Sequence, residues 1–266
     1  MRTVHLLCHR CETTMTTIIS PNVRYITNLR DLGGWDTPSG PTQPHRYLRC
    51  GSTSSATESD LMALYDWGVR RDIDLRGLGE SPRLTDRLSN QSWVQWVNVP
   101  FYDINISNEP LRPSVNVHNY LVGSYLTMLS SRKAVKACIK EASAAKKDEC
   151  VLFHCAAGMD RTGMLSMLLL GCAGVDRHQI ACDYCLSFSS LDEIEKGLER
   201  EREIGYVEVG DPHDDYGAFI LAARLQAILA VYDTIIEHHG TIPDFLVSFG
   251  VTCEEVAAVR SHLLEP

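Results

Sequence analysis

Cys155 and Arg161 stand at the two ends of a short run in Val151–Gly163, VLFHCAAGMDRTG. A cysteine thiolate is a strong nucleophile, and a guanidinium is a planar fork that bonds two phosphoryl oxygens at once, which lysine cannot do. Between them, Ala156, Ala157 and Gly158 are small enough for backbone N–H groups to converge on one point, and Met159 and Gly163 complete the substrate-facing stretch. If the run follows a buried strand and opens a helix, those amides and the helix N-terminus form an anion nest sized for phosphate. The implied chemistry is in-line attack of Cys155 on a phosphoryl group, giving a phosphocysteine that water hydrolyses. The same positive surroundings favour the thiolate of Cys155. Amides and Arg161 neutralise the equatorial oxygens, so neither a metal nor another cofactor is required. Thr162 can donate its hydroxyl to the departing sulfur, and His154 can bond nearby backbone and shape the loop. A cysteine or a helix-start arginine alone says little. Their conjunction with Gly158 and Thr162-Gly163 carries the reading.

A phenolate leaving group benefits from a proton as it departs. Asp103, after a strand in VPFYDIN, is the first candidate donor; Asp160, inside the loop, is the second, with an ion pair to Arg161 as its other role. Asp74, in DIDLRG at a strand end, is the third, and a backbone anchor is its plainer role. Asp31 and Arg76 read as structural or as part of the substrate rim.

The loop needs a strand before it and a helix after it. Val151–His154 is a short apolar run suited to a central strand, and Arg161–Gly174 is helical. Upstream, strands are expected at His45–Cys50, Val69–Leu75 and Trp93–Val99. Helices are expected at Thr57–Gly68, Val117–Leu129 and Lys133–Lys146. Downstream come helices His178–Phe188, a charged solvated Leu191–Gly205, Ala218–His239, and Cys253–Leu264 capped by Thr252. Strand and helix alternate, so the fold class is α/β: a central, mostly parallel sheet flanked by helices. Residues 1–20 read as a disordered tail, with Met15 as a plausible start, and 21–266 as one domain in which 188–240 is a candidate helical lid.

The 266 residues are 44% hydrophobic and carry a formal net charge of -9. An acidic chain of this kind does not attract nucleic acid or an anionic membrane, although a small anion answers to the local field instead. The longest uncharged apolar stretch, Met164 to Val175, is too short to span a bilayer, and the N-terminus lacks a secretory signal, so a cytoplasmic protein is expected. Ten cysteines scattered through the chain fit a reduced compartment. Cys8–Cys11 lies beside His5 and His9, but no second ligand pair at finger-like spacing follows, which leaves zinc weakly supported. Cys172, Cys182 and Cys185 are candidate resolving thiols if Cys155 is oxidised.

HCAAGMDRTG is similar to the His-Cys-x-x-Gly-x-x-Arg-Ser/Thr-Gly signature of the protein tyrosine phosphatase superfamily. The wider chain resembles its atypical bacterial branch of tyrosine and dual-specificity phosphatases, some of which act on phosphoinositides. The matching segments are Asn28–Gly34, Tyr47–Ser52, Asp72–Gly77 with Glu80, the phosphate loop, and Gly174–Ser187. The resemblance implies the superfamily fold, phosphorylated protein or small phosphomonoester substrates, and phosphotyrosine ahead of phosphoserine or phosphothreonine. The branch carries lysine where this chain has Met159, and in related lipid phosphatases that lysine holds extra inositol phosphates. Phosphoinositides therefore come third. Outside this class stand a non-catalytic phosphate-binding module, which would typically lose Cys155 or Arg161, and a sulfurtransferase, which would not need Arg161-Thr162-Gly163.

Overall fold

The computed structural model describes residues 19–81, 84–101, 117–189 and 215–266. Five strands form one sheet: β1 (Arg30–Asp31), β2 (Tyr47–Cys50), β3 (Val69–Asp74), β4 (Gln95–Asn98) and β5 (Cys150–His154). Their order is β1-β2-β5-β3-β4. Only β1 runs antiparallel to its neighbour; the other pairs are parallel. β5 is buried at every position, as a strand covered on both faces should be. Cys50, His154, Asp74 and Asn98 lie level across four strands, so the loop after His154 leaves the sheet at its carboxyl edge. That edge is where open parallel sheets place their ligands.

Alternation divides the strand residues between two cores. Leu48, Cys50, Cys150 and Leu152 pack with Leu61 and Leu64 of α1 (Glu58–Trp67). Tyr47, Ile73, Val151 and Phe153 face the larger core, built with α2 (Val117–Ser130), α3 (Arg132–Ser143) and α4 (Asp160–Ala173). The helices α5 (Arg177–Ser189), α6 (Asp215–His239), α7 (Ile242–Ser248) and α8 (Cys253–Leu264) complete that side. α4 is hydrophobic nearly all round and buried accordingly.

The expected α/β architecture is present, and the helix ends agree with their signals. Thr57 and Thr252 both make capping boxes, and Gly68 closes α1 in the left-handed region. Two short elements were not among those expected: β1, two residues held by the register of β2, and α7, seven residues whose start signals are the Thr241 cap and Pro243 in the first turn. Within the stretch expected as a candidate lid, α6 from Ala223 onward contributes Leu225, Ile228, Val231 and Ile235 to the main core. The tail (1–18), Cys8–Cys11, Asp103 and Leu191–Gly205 lie outside the described residues.

Phe153 is fully buried in the central strand. Phe153→Ala should lower the unfolding free energy by about 3–5 kcal/mol, read from urea unfolding.

Candidate active site

In a loop whose N–H groups converge inward, the carbonyls point outward into the protein, and each then needs a donor. That is the arrangement after β5. His154 Nδ1 lies 3.1 Å from the Cys155 carbonyl oxygen, and the Ser52 amide donates to that of Ala156 at 2.7 Å. Asn28 Nδ2 donates to the carbonyls of Ala157 and Gly158 at 3.1 and 2.9 Å, and Arg49 Nη2 to Gly158 at 2.8 Å. The N–H groups of residues 156–161 meet no protein acceptor among the described residues. α4 starts at Met159 without a side-chain cap, which leaves its first amides to the same nest. Gly158 has φ +68, and a Cβ there would meet the Cys50 carbonyl oxygen at 2.4 Å, so no other residue fits.

At one end of the nest Cys155 is a free thiol, 3% exposed. At the other, Arg161 donates Nη1 and Nη2 to Glu80 at 2.5 and 2.9 Å, and the Gly77 amide anchors that carboxylate at 2.7 Å. Glu80 grips the far end of the guanidinium and leaves Nε–H and an outer Nη–H as a second fork for an anion. Burial opposes the charge on Arg161, but the hydrogen bond to Glu80, then the charges of Cys155 and Glu80, hold it above its ordinary range. Thr162 Oγ1 is buried and unpartnered among the described residues, a costly state that a ligand can relieve.

Beneath the nest lie two buried charge networks. Asp183 of α5 pairs with Arg30 Nε at 3.0 Å and with Arg49 Nη1, while Arg30 also reaches Asn28 and Ser187. Two guanidinium charges against one carboxylate leave a positive excess behind Gly158. Burial, then the neighbouring Arg49 charge, lowers Arg30 to about 10 against the pull of Asp183. In the second network His154 Nε2 lies 2.6 Å from Asp86 Oδ2. Both ring nitrogens therefore face acceptors, the pattern of an imidazolium. Burial disfavours that charge, but Asp86, Asp72 and Asp74 outweigh it and raise His154 to about 10. The carboxyl oxygens of Asp72 are buried without hydrogen-bond partners among the described residues, the nearer 3.7 Å from His154 Nε2; burial, then the Asp86 charge, pushes this group well up. Asp72, Asp86 and His154 have ligand atoms within 4.8 Å of one another. His154 nonetheless spends Nε2 on a proton shared with Asp86, which is not a ligand arrangement.

Asp74 accepts from the Arg76 backbone amide and guanidinium and from Ser81, and Asp31 accepts from the amides of Gly33 and His45. Both are structural anchors, and buried Arg76 belongs to the Asp74 anchor rather than to a rim. Gly163, expected among the substrate-binding residues, needs correction. Its amide is used by the Met159 carbonyl at 2.7 Å, and a Cβ there would meet the Tyr184 ring at 2.7 Å; its role is to let α5 approach α4. Met159 is 5% exposed and packs in the main core, with its Sδ 3.2 Å from Arg224 Nη1. Asp160 accepts from Tyr125, Tyr184 and Arg224, away from Arg161. The expected Asp160–Arg161 pair is replaced by Glu80–Arg161. Cys172 is buried and pushed up to about 12, a poor resolving thiol.

Residues 21–265 match the model of a family described as the tyrosine phosphatase family. The chain belongs to the tyrosine phosphatase family. Relatives include a tyrosine-protein phosphatase of Nostoc commune, 27% identical over 82% of this chain and 74% of the relative. A putative tyrosine-protein phosphatase of Cupriavidus necator is 28% identical over 90% and 86%. The triple specificity protein phosphatase PtpB of Mycobacterium tuberculosis is 29% identical over 43% and 44%. For this tyrosine phosphatase family member, Glu80, Asn28, Arg49, Asp183, Asp86 and Arg224 are the site residues that sequence reasoning did not assign. Four of them lie in or beside segments that resemble the family; Asp86 and Arg224 carried no signal.

Two outcomes follow from the buried charges. Asp183→Asn leaves Arg30 and Arg49 without a counter-charge and should cost about 3–5 kcal/mol in urea unfolding. The folded-state value for His154, about 10, lies above its ordinary 6.5. Its contribution is therefore complete below about 6.5 and is lost as pH rises through about 10. The melting temperature should accordingly fall more steeply across that window in the parent than in His154→Gln.

Proposed function

We propose that this protein is a cysteine-dependent phosphatase of phosphotyrosine in proteins, with phosphoserine and phosphothreonine as secondary substrates. The observation that carries the reading is a loop whose carbonyls are held by protein donors and whose amides from 156 to 161 meet no acceptor among the described residues, with Cys155 and the Glu80-held Arg161 at its ends. The nest amides and the free fork of Arg161 hold the three non-bridging oxygens, with the phosphorus in line with Cys155 Sγ. The S–P bond forms as the P–O bond to the tyrosyl oxygen breaks, and a proton reaches that oxygen from a general acid. Asp103 is the proposed donor; it lies outside the described residues. Water then attacks the phosphocysteine and gives a proton to the carboxylate that the general acid has become, the P–S bond breaks, and Thr162 Oγ1 donates to the sulfur as it leaves. The buried, unpartnered hydroxyl supports that role.

The relatives' names favour a tyrosine substrate. The buried, uncharged Met159 argues against a further phosphate group beside the loop, which places phosphoinositides behind phosphoproteins.

A steady-state panel of phosphotyrosyl and phosphoseryl peptides and a phosphoinositide tests the reading. Phosphate release should be fastest from phosphotyrosine and fall to background in Cys155→Ser. Arg161→Lys should lower kcat/KM by on the order of 10²–10³-fold, because one ammonium cannot replace the fork. A phosphoinositide turned over faster than every peptide would overturn the substrate assignment, and full activity in Cys155→Ser the mechanism.

A further inference from the structure

Three helices converge on the carboxylate of Asp160, the first residue of α4. Its Oδ1 accepts from the hydroxyls of Tyr125 on α2 and Tyr184 on α5, at 2.5 and 3.0 Å. Arg224 of α6 brings Nη1 to 2.6 and 2.5 Å from its two oxygens, and the same nitrogen lies 3.2 Å from Met159 Sδ. The next residue, Arg161, is held on the other side by Glu80. Two successive residues at the mouth of the nest are thus braced by different elements, each by a charged hydrogen bond. With no side-chain cap at Met159, this brace is what fixes the first turn of α4.

We propose that Arg224 is a positioning residue of the phosphate loop: through Asp160 it sets the start of α4, and with it the amides and guanidinium that bind the phosphoryl group. The inference rests on the reading of that loop as a phosphoryl site. A carboxylate accepting from a guanidinium and two hydroxyls is stabilised as the anion. Burial pushes Asp160 up, the Arg224 charge and the three hydrogen-bonding partners pull it down, and the balance lies below the usual carboxylate range. The carboxylate is thus held as the anion that Arg224 needs for a partner. A cation missing from position 159 is supplied beside the loop by α6, where it meets Asp160 instead of the ligand.

The test compares the parent with Arg224→Met, Arg224→Lys, Asp160→Asn and the double Asp160→Asn/Arg224→Met. Turnover of p-nitrophenyl phosphate and phenyl phosphate is followed from pH 5 to 9. Tungstate binding is measured by calorimetry in the Cys155→Ser background, so that anion binding is read without turnover. Arg224→Met should raise KM and the tungstate Kd about tenfold with a smaller change in kcat, and Arg224→Lys should recover most of the loss. The groups facing Asp160 would then be Tyr125, Tyr184 and, along its own helix, Arg161. Without the Arg224 charge, buried Asp160 should take up a proton within the assay range, so Arg224→Met gains an acidic limb in kcat/KM. That limb should vanish in the double variant, whose loss should be close to that of either single one.

Additive losses, a missing acidic limb, or a tungstate Kd unchanged by Arg224→Met would each overturn the proposal. So would Asp160→Asn slowing phenyl phosphate far more than p-nitrophenyl phosphate, since that pattern marks a proton donor. If Arg224→Met does not fold, the same tungstate comparison with Arg224→Lys and Tyr125→Phe decides, unchanged Kd values in both overturning it. Tungstate binding that follows this pattern in a parent chain without turnover would uphold the positioning role and sink the phosphatase reading separately.

Discussion

A loop that turns its amides toward an anion turns its carbonyls toward the protein, and the rest of this structure is arranged around that constraint. Each carbonyl from Cys155 to Gly158 needs a donor at a fixed place, and unsatisfied buried carbonyls would pull the loop into another shape. The donors come from far along the chain: Asn28 before β1, Arg49 on β2, Ser52 after it, and the ring of His154 itself. The sheet order makes this economical. β2 and β3 flank β5, so the ends of both strands reach the loop that leaves β5.

Several of those donors are charged, and their charges must be balanced in a dry interior. Asp183 orients Arg30 and Arg49; Asp86 orients His154; Glu80 orients Arg161. Such buried pairs are weak sources of net stability, because desolvation offsets most of the attraction, but breaking one strands its partner. Their effect is to give the loop a single shape. The second guanidinium of the Arg30–Arg49–Asp183 network also places a local positive charge behind the loop, in a chain whose overall charge is -9. Attraction of a phosphoryl dianion is a property of the site, not of the whole molecule.

Asp160 and Arg161 show how position in the helix start divides roles between neighbours. Successive residues at an α-helix N-terminus point about a quarter-turn apart. Arg161 faces Glu80 and the nest, while Asp160 faces α2, α5 and α6. An acidic residue next to the arginine in sequence is therefore in a different environment from it in space.

The sequence alone determined where the candidate site lies. Cys155, Gly158, Arg161 and Thr162 are covalently fixed along one short loop, so their spacing already points to an anion nest with a thiol at one end. It also determined the alternation of strands and helices and most helix boundaries, since caps and periodicity are local signals. Tertiary structure decided everything that depends on which distant residue meets the loop: Glu80 rather than Asp160 as the partner of Arg161, Asp86 as the partner of His154, and Arg224 as that of Asp160. It also set Gly163 against the Tyr184 ring and packed the end of the candidate lid into the main core. The reason is physical. A buried charge must find an opposite charge, but several are within reach of any plausible fold, and only the packing of sheet and helices selects one.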